Sequence, residues 1–117
     1  MPDRLTFGDG VLVGHPSVKG FKVVATDGRA GRVSWATYAP GESYLVLTVG
    51  RLSRTHHVLP AGAVTSVGDG EVRVPLSRSE LKELPLLAAP DAAVGDAKVQ
   101  DAVATFENAA AKWPQQW

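Results

Sequence analysis

The residues best suited to acid–base or metal chemistry are three histidines, two of which, His56 and His57, are adjacent. The pair lies in a segment with the alternation of a β-strand, and neighbouring residues of a strand face opposite sides. The two rings therefore cannot hold one metal ion together without a β-bulge, and His15 would have to fold over from the N-terminal segment to help. We expect one ring to face inward with hydrogen bonds and the other to be exposed.

Four arginines are the second candidate group, because Arg29 and Arg32 flank one predicted turn while Arg51 and Arg54 flank another. If the two turns lie at the same end of a small β-domain, their guanidinium groups form one basic surface. Guanidinium groups beside aromatic side chains suit an RNA backbone or an acidic partner. Four separate, solvated arginines are the alternative interpretation. The ring side chains expected nearby are Tyr38, Tyr44 and His56.

Several kinds of chemistry lack the residues that they require. The chain has no cysteine, which excludes disulfides, zinc–thiolate sites and thiol nucleophiles. No Gly-x-Ser-x-Gly elbow occurs, and no paired carboxylates stand near the histidines in sequence. The glycine-rich residues 27–32 lack the Lys-Ser/Thr of a phosphate-binding loop. We therefore expect a protein without a catalytic site, a metal or another cofactor.

The length and net charge of the chain limit the number of domains and the kinds of partner that we expect. A chain of 117 residues has room for one domain with a modest core, and its net charge of zero argues against bulk electrostatic capture of nucleic acid. Residues 1–60 carry seven Lys/Arg and four acids, whereas residues 61–117 carry five Lys/Arg and eight acids. No apolar run approaches the ~18 residues of a membrane span, so we expect a soluble, cytoplasmic protein without membrane insertion.

The apolar pattern and its breaks predict a mainly β domain. Asp27-Gly28 between two β-patterned runs predicts a hairpin, because glycine adopts the positive φ that such a turn needs without steric cost. Short strands at close spacing with glycine-rich turns are typical of a small barrel or sandwich. The predicted strands are residues 21–25, 31–38, 44–49, 55–59, 63–67 and 71–74.

Two of these strands carry further expectations. Along residues 32–38, Val33, Trp35 and Thr37 fall on one face, so Trp35 is predicted to be a core side chain. The segment Tyr44–Val49 is apolar on both faces, as expected of a strand that is covered on both sides. Its outer face must be covered by the C-terminal segment or by another subunit.

Helix signals begin near residue 77. Ser77-Arg78-Ser79-Glu80 is a capping box, and it predicts a short helix over residues 78–84. Residues 85–96 resemble a linker, and a second helix is predicted from residue 96 or 97 to residue 113. We expect its apolar seam either to cap the barrel of the same chain or to bind a partner, with a second copy of the chain favoured. The seam consists of Val99, Val103, Phe106, Ala110 and Trp113, with Ala102 and Ala109 beside it.

The order of these motifs resembles the PRC-barrel family over about residues 20–87. The likeness begins with a strand, Asp27-Gly28 and Gly31-Arg32-Val33, and continues with His57-Val58-Leu59-Pro60. A closing turn, strand and helix start follow in residues 68–77, and Leu81-Lys82-Glu83-Leu84-Pro85 is similar to the family's usual exit. The resemblance implies a small β-barrel of about six short antiparallel strands, with a short helix and a C-terminal amphipathic helix.

The family occurs in the cytoplasmic domain of the photosynthetic reaction centre H subunit, in a ribosome-maturation factor, and in short stand-alone bacterial proteins. It has no shared catalytic residues, so the resemblance implies a non-enzymatic interaction or scaffold module. We predict an N-terminal arm (1–20), a barrel-like domain (21–87) and a linker with the helix (88–117), assembled as a homodimer. The alternatives are an RNA- or ribosome-associated adaptor with a basic barrel surface, and a metal- or small-ligand-dependent enzyme.

Overall fold

The fold is described by a computed structural model that covers residues 5, 7, 11–12, 17–38, 41, 43–50, 54–89 and 94–111, with 110 and 111 as backbone only. Within these residues the helices are α1 (Arg78–Leu81) and α2 (Asp96–Ala111), and a 3₁₀ turn spans Ala61–Ala63. The strands are β1 (Lys22–Ala25), β2 (Gly28–Ala36), β3 (Tyr44–Val49), β4 (Thr55–Pro60), β5 (Ser66–Gly68), β6 (Glu71–Arg73) and β7 (Leu86–Leu87).

The described strands form one mixed sheet in the order β5-β6-β1-β2-β3-β4-β7. Neighbours are antiparallel except β1 and β6, which are parallel. The prediction of a mainly β fold is confirmed. The predicted closed barrel of six antiparallel strands is not observed, since the described sheet is open. One reason is β7, which lies in the predicted linker and occupies the outer edge of β4.

The first hairpin has the predicted turn but a longer second strand. Gly28 has a φ of +128°, the region in which glycine is favoured over other residues. Strand β2 begins at Gly28 rather than at Gly31, because pairing with β1 starts directly after the turn with Ala25 opposite Gly28. Asp27 therefore stands at the tip of a tight connection between two paired strands.

Trp35 is not a core residue, although the alternation along β2 predicted it to be one. Its side chain is 45% exposed. A β-bulge lies between Val33 and Trp35, so Val33 is opposite Leu47 while Trp35 is opposite Val46, the adjacent residue of β3. Because successive strand residues face opposite sides, this shift of one position turns Trp35 away from the face that holds Val33 and Leu47.

The sheet carries an apolar layer on each face. The inner face holds the larger cluster, which includes Val23, Val33, Leu45, Leu47 and Leu59. On the outer face, the side chains that pack together are Val46, Val58, Leu87 of β7 and Ala102 of α2. Helix α2 thus covers part of the outer face of β3 and β4 through Ala102, while its Phe106 and Ala109 pack in the inner cluster. The apolar pattern of Tyr44–Val49 predicts such a cover from the C-terminal segment or from another subunit.

Helix α1 begins with the predicted capping box. Ser77 Oγ accepts a hydrogen bond from the Glu80 amide at 3.1 Å, and Glu80 Oε1 accepts one from the Ser77 amide at 2.8 Å. The helix ends at Leu81 instead of residue 84. The next three amides donate to carbonyls three residues back, as in a 3₁₀ turn. This tighter winding carries the chain from α1 towards β7.

The described part of the N-terminal arm is attached to the sheet by specific contacts. Phe7 stacks on Tyr38 with ring centroids 5.7 Å apart, and the Leu5 carbonyl accepts a hydrogen bond from the Ser43 amide at 2.8 Å. Val11 and Leu12 lie in a turn. The division into domains at residues 20 and 87 stays a prediction.

Candidate functional site

Four arginines from separate parts of the chain line one groove beside β2. The groove has a volume of about 830 Å³ and a floor that includes Gly31, Ser34 and Thr48. Two of the arginines lie on β2, one directly precedes β4, and one is the first residue of α1. We call this recess the arginine groove, after Arg29, Arg32, Arg54 and Arg78.

A β-bulge in the first hairpin brings Arg29 and Arg32 to the same face of the sheet. Residues three apart in a regular strand face opposite sides. Here Arg32 is opposite Lys22 and Arg29 is opposite Val24, two residues further along β1, so β2 has one extra residue in this stretch. Both guanidinium groups therefore leave the outer face of β2, which is the face that Thr48, the partner of Arg32 on β3, also shares.

Gly31 forms part of the groove floor because β2 and β3 approach each other closely there. A Cβ atom at this position would lie 1.9 Å from the Thr48 carbonyl oxygen and 2.9 Å from its carbon. Both contacts are to backbone atoms, which cannot rotate away as a side chain would. Glycine is thus required by the strand approach, and the floor beside Thr48 is bare backbone.

A chain of polar side chains crosses three strands at the groove floor. Ser34 Oγ and Thr48 Oγ1 share a hydrogen bond, and Thr48 Oγ1 is 2.9 Å from His56 Nδ1. Thr48 stands between the serine and the imidazole, and the bonds described at His56 include no carboxylate. The arrangement therefore orients hydroxyl groups rather than forming a nucleophile–base–carboxylate triad.

The groove carries positive charge that its described lining does not neutralise. Its lining residues include no carboxylate among those described. Arg32 Nη1 donates to the Gly20 carbonyl at 3.2 Å, which fixes the side chain but leaves its charge. Arg78 Nε lies 3.6 Å from Asp27 Oδ2, which is not among the lining residues. Within the described residues, the side chains of Arg29 and Arg54 form neither a hydrogen bond nor an ion pair.

The structure brings together most of the predicted basic surface and adds a member to it. Arg29, Arg32 and Arg54 line the groove, while Arg51 lies outside the described residues. Arg78 was missed, because nothing local in the sequence indicates that the start of α1 lies beside the first hairpin. His56 is near as predicted. Neither tyrosine lines the groove: Tyr38 contacts the arm, and Tyr44 packs near α2.

Trp35 provides an exposed aromatic ring on the same face of β2 as the arginines. It follows Ser34 of the groove floor, and the Nζ of Lys19 lies 5.3 Å from its ring centroid. An ammonium group at this distance is attracted to the ring face. The sequence pattern predicted that Trp35 would be a core side chain, because alternation along residues 32–38 places it on one face with Val33 and Thr37.

The two histidines face opposite sides of β4, as predicted. His57 is 1% exposed. Its Nδ1–H donates to the Leu84 carbonyl at 2.9 Å, so its Nε2 accepts from the Thr55 hydroxyl at 2.7 Å. Burial lowers the pKa of His57 below its usual value, and the Leu84 hydrogen bond opposes this only in part. His57 is a structural residue that ties β4 to the segment before β7.

The apolar seam of α2 is mostly used within the chain. Val99 and Phe106 are buried, as are Ala102 and Ala109, which the sequence placed beside the seam. Val103 is half-buried. The side chain of Ala110 and the whole of Trp113 lie outside what the structure describes. The packed stripe is thus rotated towards the small residues Ala102 and Ala109.

Other kinds of site find no support in the described part of the chain. No three side chains of His, Asp or Glu come together there as metal ligands. Neither described helix has the length and apolar character that crossing a membrane requires. In comparisons with known proteins, the chain matches no family model, no curated protein and no solved structure.

Proposed function

We propose that the chain is a non-enzymatic interaction module and that the arginine groove binds its partner. The observation that carries the proposal is the convergence of four arginines on one recess whose described lining contains no carboxylate. A guanidinium group binds a carboxylate through two parallel hydrogen bonds, which gives both affinity and orientation. The partner in this proposal is therefore a protein that presents an acidic segment.

The packing of α2 also supports the groove as the interaction surface. The seam expected to bind a partner has Val99 and Phe106 buried against the chain's own sheet. A partner at that seam would have to displace the helix from the outer face of β3 and β4. The proposal accordingly assigns binding to the groove. Homodimer formation stays a prediction, which the mass measured by light scattering tests.

We retain the relationship to the PRC-barrel family as part of the proposal. The support is the order of three features within a mainly β fold. They are the Asp27-Gly28 hairpin, the strand with His57, and the capping box before α1. In this proposal the open sheet is a variant of the barrel in which β7 occupies the edge of β4. The family's non-enzymatic role then extends to this chain.

Capture from a lysate of the source cells tests the proposed function. The bait variants are Arg29→Gln with Arg54→Gln, and a control with two equivalent changes outside the groove, Arg73→Gln with Lys82→Gln. Arg29 and Arg54 are chosen because their side chains bond to no described residue, so that their replacement removes charge without removing a described side-chain contact. We expect the wild type and the control to retain an acidic protein that the groove variant loses.

Nuclease treatment separates this proposal from a second candidate, an RNA-associated adaptor. The exposed Trp35 favours that candidate, because single-stranded RNA is bound by aromatic rings that stack on bases beside a basic groove. We expect the acidic protein to be retained after nuclease. Loss of all captured protein after nuclease, or equal capture by the groove variant, would contradict the protein-binding proposal.

A further inference from the structure

We infer that the arginine groove binds a small ligand that carries an oligophosphate chain. The inference goes beyond the proposed function: the ligand would occupy the same recess as the acidic segment, so the two would compete for it. A single acidic side chain needs one guanidinium group, whereas the groove presents four. An oligophosphate offers several negatively charged groups within a few ångströms, and each can take one arginine.

The arginines combine fixed and available donors, as an anion site requires. The bond from Arg32 to the Gly20 carbonyl and the ion pair between Arg78 and Asp27 hold two guanidinium groups in place. The side chains of Arg29 and Arg54 are bonded to no described residue, and in this inference they bind phosphate oxygens. Because guanidinium donors match phosphate geometry in pairs, two fixed and two available groups can contact successive phosphates of one chain.

The polar chain at the floor supplies a further donor. When the His56 proton is on Nδ1, the ring donates to Thr48 Oγ1, and the Thr48 hydroxyl in turn donates to Ser34 Oγ. The Ser34 hydroxyl is then left to donate to a ligand at the floor. Phosphate oxygens only accept hydrogen bonds, so a bound phosphate favours this direction of the chain over the reverse one.

The dimensions of the groove fit a small ligand. Its volume of about 830 Å³ lies within the range of about 300–1,000 Å³ typical of small-molecule sites. The floor beside Gly31 is backbone, since that residue has no side chain and none can be added there. An oligophosphate can therefore approach the sheet closely enough to reach the Ser34 hydroxyl and the surrounding arginines at once.

Calorimetric titration of the purified chain with inorganic tripolyphosphate tests the inference. We expect one site per chain, an affinity that falls with added salt, and binding of orthophosphate that is at least about tenfold weaker because it spans fewer arginines. Arg54→Gln should weaken tripolyphosphate binding about tenfold, and Ser34→Ala should weaken it severalfold. Arg73→Gln, which removes an arginine outside the groove, should leave the affinity within about twofold.

Three results would overturn the inference. The first is no binding of tripolyphosphate, and the second is equal weakening by Arg54→Gln and Arg73→Gln, which would indicate a diffuse charge effect. The third is groove-dependent binding of a short oligouridylate that is tighter than the binding of tripolyphosphate, which would assign the groove to RNA. Titration uses the purified chain alone, so its failure is distinguishable from failure of partner capture. Arg54→Lys, which keeps the charge, serves as a second variant if Arg54→Gln folds poorly.

Discussion

Asp27 Oδ1 accepts a hydrogen bond from the backbone amide of Arg78 at 3.0 Å, although the two residues are 51 positions apart. Arg78 Nε also lies 3.6 Å from Asp27 Oδ2. The turn of the first hairpin thereby holds the start of α1, and with it one arginine of the groove. The backbone bond is the main reason why the pKa of Asp27 lies below its usual value of 3.8.

Replacing Asp27 by asparagine should lower the melting temperature at neutral pH and should do so in a pH-dependent way. Because the folded-state pKa is lowered, the carboxylate stabilises the fold at pH values above 3.8, and this contribution is lost as the pH falls through the folded-state value. Melting curves of both proteins between pH 7 and about pH 2 measure the effect. A difference in melting temperature between wild type and Asp27→Asn that stays constant across this range would contradict the prediction.

Gly31→Ala should destabilise the fold strongly. Its Cβ would meet the Thr48 backbone at 1.9 Å, and overpacking against backbone typically costs about 1–3 kcal/mol or more. Gly68→Ala is the matched control, since Gly68 also lies in a strand but a Cβ there meets nothing within 4 Å. Urea denaturation should show a large loss of unfolding free energy for the first variant and little change for the second. If Gly31→Ala lost as little unfolding free energy as Gly68→Ala, the strands β2 and β3 would have to be able to move apart at Gly31.

The buried His57 should make the protein less stable as the pH falls below 6.5, its usual pKa. Its folded-state pKa is lowered, so the unfolded chain binds the proton first, and stability falls by at most about 1.4 kcal/mol per pH unit. The decline ends once the pH passes below the folded-state value. His57→Gln keeps a neutral donor and acceptor, and its melting temperature should depend less on pH in this window. The same pH dependence in both proteins would show that His57 does not titrate as described.

Phe106→Ala should cost about 3–5 kcal/mol of unfolding free energy, because Phe106 is 3% exposed and joins α2 to the inner cluster. Val103→Ala, on the half-buried side of the same helix, should cost about 1 kcal/mol or less. Chemical denaturation at several protein concentrations measures both. A larger effect for Val103 than for Phe106, or a loss that depends on concentration, would indicate that α2 packs against a second copy.

The features that the sequence predicts correctly are those that local rules decide. The Asp27-Gly28 turn, the capping box at Ser77 and the opposed rings of His56 and His57 follow from turn chemistry, helix capping and strand alternation. The apolar residues on both faces of β3 also predicted correctly that its outer face is covered. That α2 of the same chain covers it depends on tertiary packing, which no local pattern specifies.

Two bulges account for most of what could not be predicted on the sheet. The bulge between Val33 and Trp35 reverses the side on which Trp35 lies, and the bulge in the first hairpin places Arg29 and Arg32 on one face. A bulge shifts every later residue by one position, and its occurrence depends on the partner strand. Arg78 lies at the groove because it contacts Asp27, which is 51 positions away in the sequence. Neither the sequence around Asp27 nor the sequence around Arg78 predicts this contact.

The central claim is that the arginine groove binds an acidic protein partner, and the affinity of that captured partner for two matched variants tests it most directly. Arg54→Gln removes a charge from the groove, and Arg73→Gln removes one from β6, outside it. Titration at one fixed salt concentration should show about tenfold weaker binding for Arg54→Gln and an unchanged affinity for Arg73→Gln. Equal affinities for wild type and Arg54→Gln, or an equal loss in both variants, would contradict the claim.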